Sequence, residues 1–226
     1  GQNATVVQPL VRTGLEVVDD WDGMGQRLTA SGSLVFNDVR AELNEVLHVS
    51  PIALRLPSRL TAAWRQLILV ATAAGIVRVL LRDIEDYVRS KGRAALHSSA
   101  DLARDDPFIQ NVVGEIAAHS LAIDTLVFEN ARVLEAGAQA LLHQAEEAEA
   151  LILEGALVTA KTQWVVSRLA LQAAERLFEA GGASATSASL QLDRHWRNLR
   201  TIFSHNPLLQ KLRVVGDYHL NGTTTV

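Results

Sequence analysis

The sequence predicts a mainly α-helical protein, in which a bundle of long helices follows a short stretch of β-structure. Apolar residues recur at three- and four-residue steps through most of residues 58–180, which is the period of a helix that buries one side. Short apolar runs separated by glycines occupy residues 1–50, as expected of strands and turns. Pro51 and Pro57 fall where the period changes. We therefore expect two domains, residues 1–50 and 51–226.

The first 50 residues predict three short strands, near residues 6–7, 15–18 and 34–36, with glycines between them. Three strands are too few to close a sheet. We therefore expect residues 1–50 to be the C-terminal part of a β-domain.

The remaining residues predict five helices, at residues 58–92, 107–142, 146–180, 187–204 and 207–220. Pro107 suits a first helical turn, and acidic residues at 146 and 147 favour a helix N-terminus. Up-and-down packing of neighbouring helices is the simplest arrangement for such a bundle. Long apolar helix faces also predict a large subunit interface, so we expect a homodimer or homotetramer.

Composition excludes several classes of function. The 226 residues are 48% hydrophobic and 20% charged with a net charge of -4, so no basic field attracts nucleic acid. The absence of cysteine excludes disulfides and thiolate ligands and suits a cytoplasmic protein. The longest apolar run, residues 67–77, is shorter than the roughly 20 residues that cross a bilayer. This run therefore predicts no membrane partner. The histidines lack the spacing of a metal site, so we expect no metal.

Residues 181–207 contain most of the candidate functional groups. Gly181 and Gly182 predict a helix end with left-handed backbone angles. Small residues follow, and Ser184 and Thr186 could cap the next helix and leave N–H groups for an anion such as phosphate. Asp193 and Arg197 are spaced for an ion pair on one helix. His205 stands before Asn206 and Pro207, and on residue type alone it could be no more than a cation that caps a helix end.

The order of these motifs resembles the C-terminal end of flavin-dependent monooxygenases with the acyl-CoA dehydrogenase fold, of the dibenzothiophene monooxygenase and sulfur-acquisition oxidoreductase type. The resemblance rests on residues 181–186, 192–201, 204–207 and 216–222, and residues 21–40 resemble the end of that family's middle β-domain. It implies an acyl-CoA dehydrogenase-like helical bundle preceded by the tail of a β-barrel middle domain. It also implies that the chain is the C-terminal half of a longer protein.

The same resemblance implies an activity and a cofactor. The family's enzymes use reduced FMN from a separate flavin reductase, with O2, to oxygenate a small organosulfur-type substrate; FAD is the alternative cofactor. By position His205 would be the catalytic residue beside the flavin ring. The flavin phosphate would be bound by Arg93, from a neighbouring subunit, and by Ser184, Ala185 and Thr186.

Three positions depart from the dibenzothiophene type. Ser184 replaces an arginine, Ala95 replaces a tryptophan and Ile202 replaces a second histidine. The resemblance therefore implies a different substrate, and a phosphate site that depends more on hydroxyls and backbone N–H groups.

Two other functions remain open from the sequence. A true acyl-CoA dehydrogenase with FAD would need a glutamate base, but residues 206–208 are Asn, Pro and Leu, and no Asp or Glu occurs between Pro51 and Arg82. The chain could also be a helical oligomerisation domain with no activity of its own, because a fold alone does not determine a function.

Overall fold

A computed structural model describes residues 2–51, 55–94 and 96–224. Ala95 lies outside the described residues. The strands are β1 (Gln2–Val6), β2 (Leu15–Val18), β3 (Ser33–Phe36) and β4 (Val46–Pro51). The helices are α1 (Arg55–Ser90), α2 (Pro107–Leu142), α3 (Ala148–Gly181), α4 (Arg194–Ile202) and α5 (Leu208–Asn221). The predicted mainly α fold is confirmed, and the division into two domains stays a prediction.

The strands form two separate antiparallel pairs, β1 with β4 and β2 with β3. Strand β4 was not predicted from the sequence. Between β2 and β3 runs a long connection, residues 19–32, which we call the cavity loop. Asp20 closes the base of this loop, because its carboxylate accepts bonds of 2.7 Å from the Ser33 N–H and 2.8 Å from the Ser33 hydroxyl. These hydrogen bonds lower the pKa of Asp20.

The three long helices supply most of the core. Their apolar sides meet in one cluster, whose most deeply buried members are Val70, Val77, Leu80, Ile84, Ile116, Ile123, Leu134, Ile152, Val166 and Leu177. Burying each such side chain contributes about 1.5 to 3 kcal/mol before entropy is counted. Asp106 caps α2 as Pro107 begins it, accepting a 2.8 Å bond from the Phe108 N–H. The bundle therefore rests on the helical period that the sequence shows.

The end of α3 follows the glycine prediction. Gly182 has a φ of +63°, and its N–H donates to the Phe178 carbonyl at 2.9 Å. Gly181 is required for close packing, since a Cβ there would collide with the Cβ of Ala185. The predicted helix end is thus confirmed, although only Gly182 and not Gly181 has a positive φ.

The predicted start of the next helix is wrong. Residues 187–204 were expected to be helical, but Ala188–Leu190 is a 3-10 turn, Gln191 adopts a left-handed φ of +51°, and α4 begins at Arg194. The left-handed residue breaks the helical path. The small hydroxylic residues therefore do not cap α4, and the hydroxyls of Ser187 and Ser189 bond to each other at 3.0 Å.

A partly buried cluster of polar side chains fixes α4 to α1. His195 is only 3% exposed, and its Nε2 lies 2.8 Å from Oδ2 of Asp83 on α1. Arg194 also pairs with Asp83. Trp196 is 39% exposed, because the buried side of α4 carries His195, Leu199 and Ile202.

Helix α2 has one buried side and one exposed side. Among the described residues it is the single helix long and apolar enough to cross a bilayer by length and composition. Core helices meet the same criterion, and Ile116, Ile123 and Leu134 of α2 lie in the bundle core. The exposed side mixes apolar residues (Leu121, Phe128 and Leu142) with polar and charged ones (Arg132, Glu135 and Gln139).

Burial of His195 predicts a pH-dependent stability. Burial lowers its pKa below the ordinary 6.5, although Asp83 acts in the opposite direction. In the unfolded chain the ring takes up a proton near its ordinary pKa, whereas the folded state resists protonation. The contribution of His195 to the free energy of unfolding is therefore fully present above pH 6.5. This contribution is lost as the pH falls from there towards the pKa of His195 in the folded state.

The measurement is thermal unfolding between pH 7.5 and pH 5 of the wild type and of His195→Gln, which keeps an N–H donor for Asp83 but does not titrate. As the pH falls, the unfolding midpoint of the wild type should decrease more than the midpoint of the variant. Parallel midpoint curves would show that His195 does not titrate in this range.

Candidate functional site

A cavity of about 570 Å³ lies where the cavity loop meets α1 and the end of α4. This volume is within the range of small-molecule and cofactor sites. The loop, α1 and the residues around the end of α4 each supply part of the wall, and the lining residues are Trp21, Gly23, Met24, Gln26, Thr29, Ser31, Leu69, Thr72, Thr201, Ile202, Ser204 and His205.

Two side chains of α4 hold the cavity loop against the bundle. The Gln26 N–H donates to Oδ1 of Asn198 at 2.7 Å, and Nη1 of Arg197 donates to the Met24 carbonyl at 3.0 Å. Arg197 is itself oriented by a 2.8 Å bond from its Nε to Oδ2 of Asp193, which is the ion pair that the sequence predicts. The loop that walls the cavity is therefore positioned by α4.

Gly25 permits the close approach of the loop to α4. It is buried, and a Cβ at this position would collide with the carbonyl oxygen of Arg197 and lie 2.7 Å from Oγ1 of Thr201. Backbone atoms of α4 cannot move aside as the end of a flexible side chain can. Only glycine therefore fits between Met24 and Gln26, whose main chains make the bonds to α4.

Gln26 holds the folded shape of the loop. Its φ is +54°, a left-handed conformation that costs a non-glycine residue about 1 to 3 kcal/mol. Its carbonyl accepts from Nε1 of Trp21 at 3.0 Å and from the N–H and hydroxyl of Thr29 at 3.1 and 2.8 Å. The Thr29 and Ser31 hydroxyls lie 2.8 Å apart. These bonds offset the strain and set Trp21, Thr29 and Ser31 in the cavity wall.

His205 lies in the turn that follows α4. Its N–H donates to the Ile202 carbonyl at 3.2 Å. The side chain is exposed and lines the cavity, and among the described residues its ring makes no hydrogen bond. An imidazole in this situation is available to exchange a proton with a bound molecule.

The polarity of the cavity suits a planar ring system with polar edges. Its apolar walls come from Trp21, Met24, Leu69 and Ile202. Its polar groups are hydroxyls, the Gln26 amide and one imidazole, and none of the described lining residues is Asp, Glu, Lys or Arg. A bound phosphate dianion would therefore find hydroxyls here but no cation.

The other predicted site residues lie at the far end of the bundle. Arg93 follows α1 and is exposed, and its main chain pairs with Leu102. The turn at residues 183–186 begins beside Gly181, close to Tyr87 near the end of α1. Fifteen residues of α1 separate Tyr87 from Thr72 in the cavity wall, which is about 22 Å. Within one chain the structure does not bring these residues together with His205.

The individual side chains of that turn differ in accessibility. Ser184 and Thr186 are exposed, and the Thr186 hydroxyl donates to the Ala183 carbonyl at 2.6 Å. Ala185 is buried against Gly181, so that only its main chain could meet a ligand. The role of Arg93 and of residues 184–186 stays a prediction.

Comparison with known proteins identifies the family. Residues 67–209 match the acyl-CoA dehydrogenase C-terminal domain family, and the match covers more than half of the chain. The chain belongs to this family. It spans about half the length of the curated relatives that it matches.

Three relatives are informative. The chain is 37% identical over 214 residues to the probable FMNH2-dependent monooxygenase SfnC of Pseudomonas putida, covering 94% of this chain and 53% of SfnC. The structure of methanesulfinate monooxygenase MsuC from Pseudomonas fluorescens superposes with a TM-score of 0.89 at 33% identity, covering 99% of this chain and 57% of MsuC. FMN-bound TdsC from Paenibacillus sp. A11-2 gives 0.85 at 28% identity, covering 97% and 56%.

Sequence reasoning did not identify most of the cavity wall. Leu69, Thr72 and Asn198 were not singled out as site residues, and residues 21–25 served only to support the resemblance. A usable signal was present in Trp21-Asp22-Gly23-Met24-Gly25, because two glycines so close together indicate a tight turn or a close approach of backbone.

Substitution of Gly25 tests how the loop is held. Gly25→Ala should push the loop away from α4 and cost about 1 to 3 kcal/mol of stability, because the new Cβ overlaps the Arg197 carbonyl. Chemical denaturation gives the free energy of unfolding, and the fluorescence of Trp21 in the cavity wall reports the displacement of the loop.

Gly114→Ala is the matched control. Gly114 is exposed on α2, and a Cβ there meets no atom within 4 Å. This change should stabilise the protein by up to about 1 kcal/mol through helix propensity. Equal stability of the two variants would contradict the packing described for Gly25.

Proposed function

We propose that the protein is a flavin-dependent monooxygenase that uses reduced FMN and O2 to oxygenate a small organosulfur-type substrate. The observation that carries the proposal is the cavity of about 570 Å³ in which the free imidazole of His205 faces apolar walls and hydroxyls. The relatives support it: SfnC is described as FMNH2-dependent, MsuC as a methanesulfinate monooxygenase and TdsC as FMN-bound.

The lining residues suit the ring of FMN. Trp21 and Leu69 offer apolar surface for the faces of the ring, and the hydroxyls of Thr29, Ser31, Thr72 and Ser204 offer donors and acceptors for its edge. The cavity loop would exclude water from the ring, which strengthens every hydrogen bond inside the site.

Residues of this chain would exchange a proton with the bound molecules and orient the reacting groups. Bound reduced FMN supplies two electrons and two protons, so that one oxygen atom of O2 enters the substrate and the other leaves as water. His205 would donate or accept a proton at its imidazole, since the ring has no competing partner among the described residues. The hydroxyls would orient the reacting groups.

The cavity does not favour acyl-CoA dehydrogenation. That reaction needs a carboxylate to remove an α-proton, and none of the described lining residues is Asp or Glu. The position after His205 is an amide, Asn206, whose side chain is already bonded to Gln66. This observation supports oxygen transfer over dehydrogenation.

The phosphate of FMN calls for a second copy of the chain. The cavity lacks a cation in its described lining, whereas Arg93 and the turn at residues 183–186 lie about 22 Å away along the bundle. We infer that these residues bind the phosphate of an FMN held in a neighbouring subunit's cavity. Leu121 and Phe128 on α2 are each 70% exposed, and we infer that a homodimer or homotetramer covers them.

The proposed activity also needs a source of reduced FMN. A separate flavin reductase would supply it, and the description of SfnC as FMNH2-dependent supports this requirement. The departure at Ile202, which lines the cavity, supports a substrate other than dibenzothiophene.

Substitution of His205 tests the proposed activity. His205→Ala should leave stability within about 0.5 kcal/mol, because the side chain is exposed and unbonded. Oxygen transfer should fall by roughly 10²- to 10⁴-fold through loss of the proton donor. The variant receives enzymatically reduced FMN, with methanesulfinate as the first substrate to be tried, and oxygenated product and hydrogen peroxide are measured together.

His143→Ala is the matched control, since His143 is also an exposed histidine at a helix end. It should retain both rate and coupling. An unchanged ratio of oxygenated product to peroxide in His205→Ala would show that His205 does not act in the reaction.

A second experiment tests the shared site. Arg93→Gln and His205→Ala should each strongly lower oxygen transfer when prepared alone. If each site combines His205 of one subunit with Arg93 of another, randomly mixed subunits should recover about a quarter of the wild-type sites, because half the dimers are mixed and each has one intact site. Activity is measured after co-expression with two affinity tags. No recovery in isolated mixed oligomers would place both residues in the same subunit's site.

A further inference from the structure

The side chain of Gln66 links three elements beside the cavity. Its Oε1 accepts from Nδ2 of Asn206 at 2.6 Å and from Nε2 of Gln163 at 2.5 Å. Gln66 lies on α1, Gln163 lies on α3, and Asn206 lies in the turn between α4 and α5. One acceptor oxygen therefore holds the turn against two long helices.

We call the two hydrogen bonds to Oε1 of Gln66 the Gln66 bridge. Gln163 fixes this bridge to the bundle. Gln163 is only 3% exposed, and its own Oε1 has no hydrogen-bond partner among the described residues. Breaking the bond from Nε2 of Gln163 would cost free energy, because both polar atoms of this buried amide would then be unpaired. Gln163 therefore keeps Gln66 in the one orientation that presents Oε1 to Asn206.

The bridge is also stiff on the side of the turn. Asn206 directly follows His205 and precedes Pro207, whose φ is -73°. Proline restricts both its own backbone and that of the residue before it. The turn therefore has few conformations left once the Asn206 side chain is bonded. On α1, Leu69 and Thr72 follow Gln66 at three-residue steps and line the cavity.

We propose that Gln66 is a positioning residue that sets the place of the His205 imidazole in the cavity by accepting the Asn206 amide. This inference rests on the proposed monooxygenase function and on His205 as its proton-exchanging group. Gln66 itself is absent from the cavity lining, so it acts through the turn and not on the bound molecule.

Two substitutions separate the acceptor from the bulk of the side chain. Gln66→Leu removes the acceptor at similar size, whereas Gln66→Glu keeps an acceptor for both amides. The glutamate is tolerable because Arg59 and Lys211 line the small cavity that also contains Gln66. Gln66→Leu should lower oxygen transfer by about 10²-fold, the effect of displacing a reacting group by roughly 1 Å. Gln66→Glu should stay close to the wild type.

Gln172→Leu is the matched control. Gln172 donates 3.0 Å to Glu115 and so makes an exposed bond between α3 and α2, away from the cavity. It should change neither product coupling nor the His205 ring. All assays are run well below the unfolding midpoint of each variant, so that a loss of folded protein is not counted as a loss of rate.

A double-mutant cycle separates positioning from a structural role. If Gln66 acts through His205, adding Gln66→Leu to His205→Ala should cause no further loss of coupling between flavin oxidation and oxygenated product. A structural role would reduce coupling by the same factor in both backgrounds, and that result would overturn the proposal.

A spectroscopic measurement tests the position of the His205 ring without an activity assay. In full-length protein with 13C-labelled histidine, the His205 ring resonance, assigned by its absence in His205→Ala, should shift in Gln66→Leu and return in Gln66→Glu. An unchanged ring resonance in Gln66→Leu would also overturn the inference. If the wild type makes no oxygenated product from reduced FMN, the proposed function fails, while the ring resonance still decides whether Gln66 positions His205.

Discussion

The cavity depends on one contact, between the main chain of the cavity loop and two side chains of α4. The Met24 carbonyl and the Gln26 N–H are polar groups that would cost free energy if they lost both water and protein partners. Arg197 and Asn198 satisfy them, at 3.0 and 2.7 Å. Gly25 between them allows the two backbones to approach. No strand of β1 to β4 needs to pack on the bundle for the wall to form, because the loop alone makes the connection.

That contact depends on how well α4 is held in place, and α4 is a short helix. Its nine residues bury few apolar side chains, and so it needs anchors beyond packing. Asp83 supplies one by binding both Arg194 and His195 from α1. The Gln66 bridge supplies another at the opposite end of α4. A helix held at both ends can present Arg197, Thr201 and the following turn to the cavity in a fixed arrangement.

The sequence predicted the parts of the structure that follow from local chemistry. The helical period places Ile84, Ile116 and Leu177 in the core, and Gly182 adopts the left-handed conformation expected of a helix end. It failed where long-range packing decides the outcome. Residues 187–190 have helical composition, yet Gln191 turns the chain before α4 begins. The partners of His195 and Gln66 lie 112 and 97 to 140 residues away, and no spacing rule reveals such pairs.

The distribution of charge explains why the candidate site cannot be understood from one copy of the chain. The described lining of the cavity has hydroxyls, an amide and an imidazole but no Lys or Arg, while Arg93 lies beyond the other end of α1. A ligand with an uncharged ring and an anionic tail needs both kinds of surroundings, and bending a packed bundle cannot close the roughly 22 Å between the cavity and that end of α1. In the proposed assembly a second copy would remove the conflict, since its Arg93 would lie at the cavity of its partner. Assembly and cofactor binding would then be coupled, because a ligand that bridges two subunits stabilises the assembled state over the separate chains.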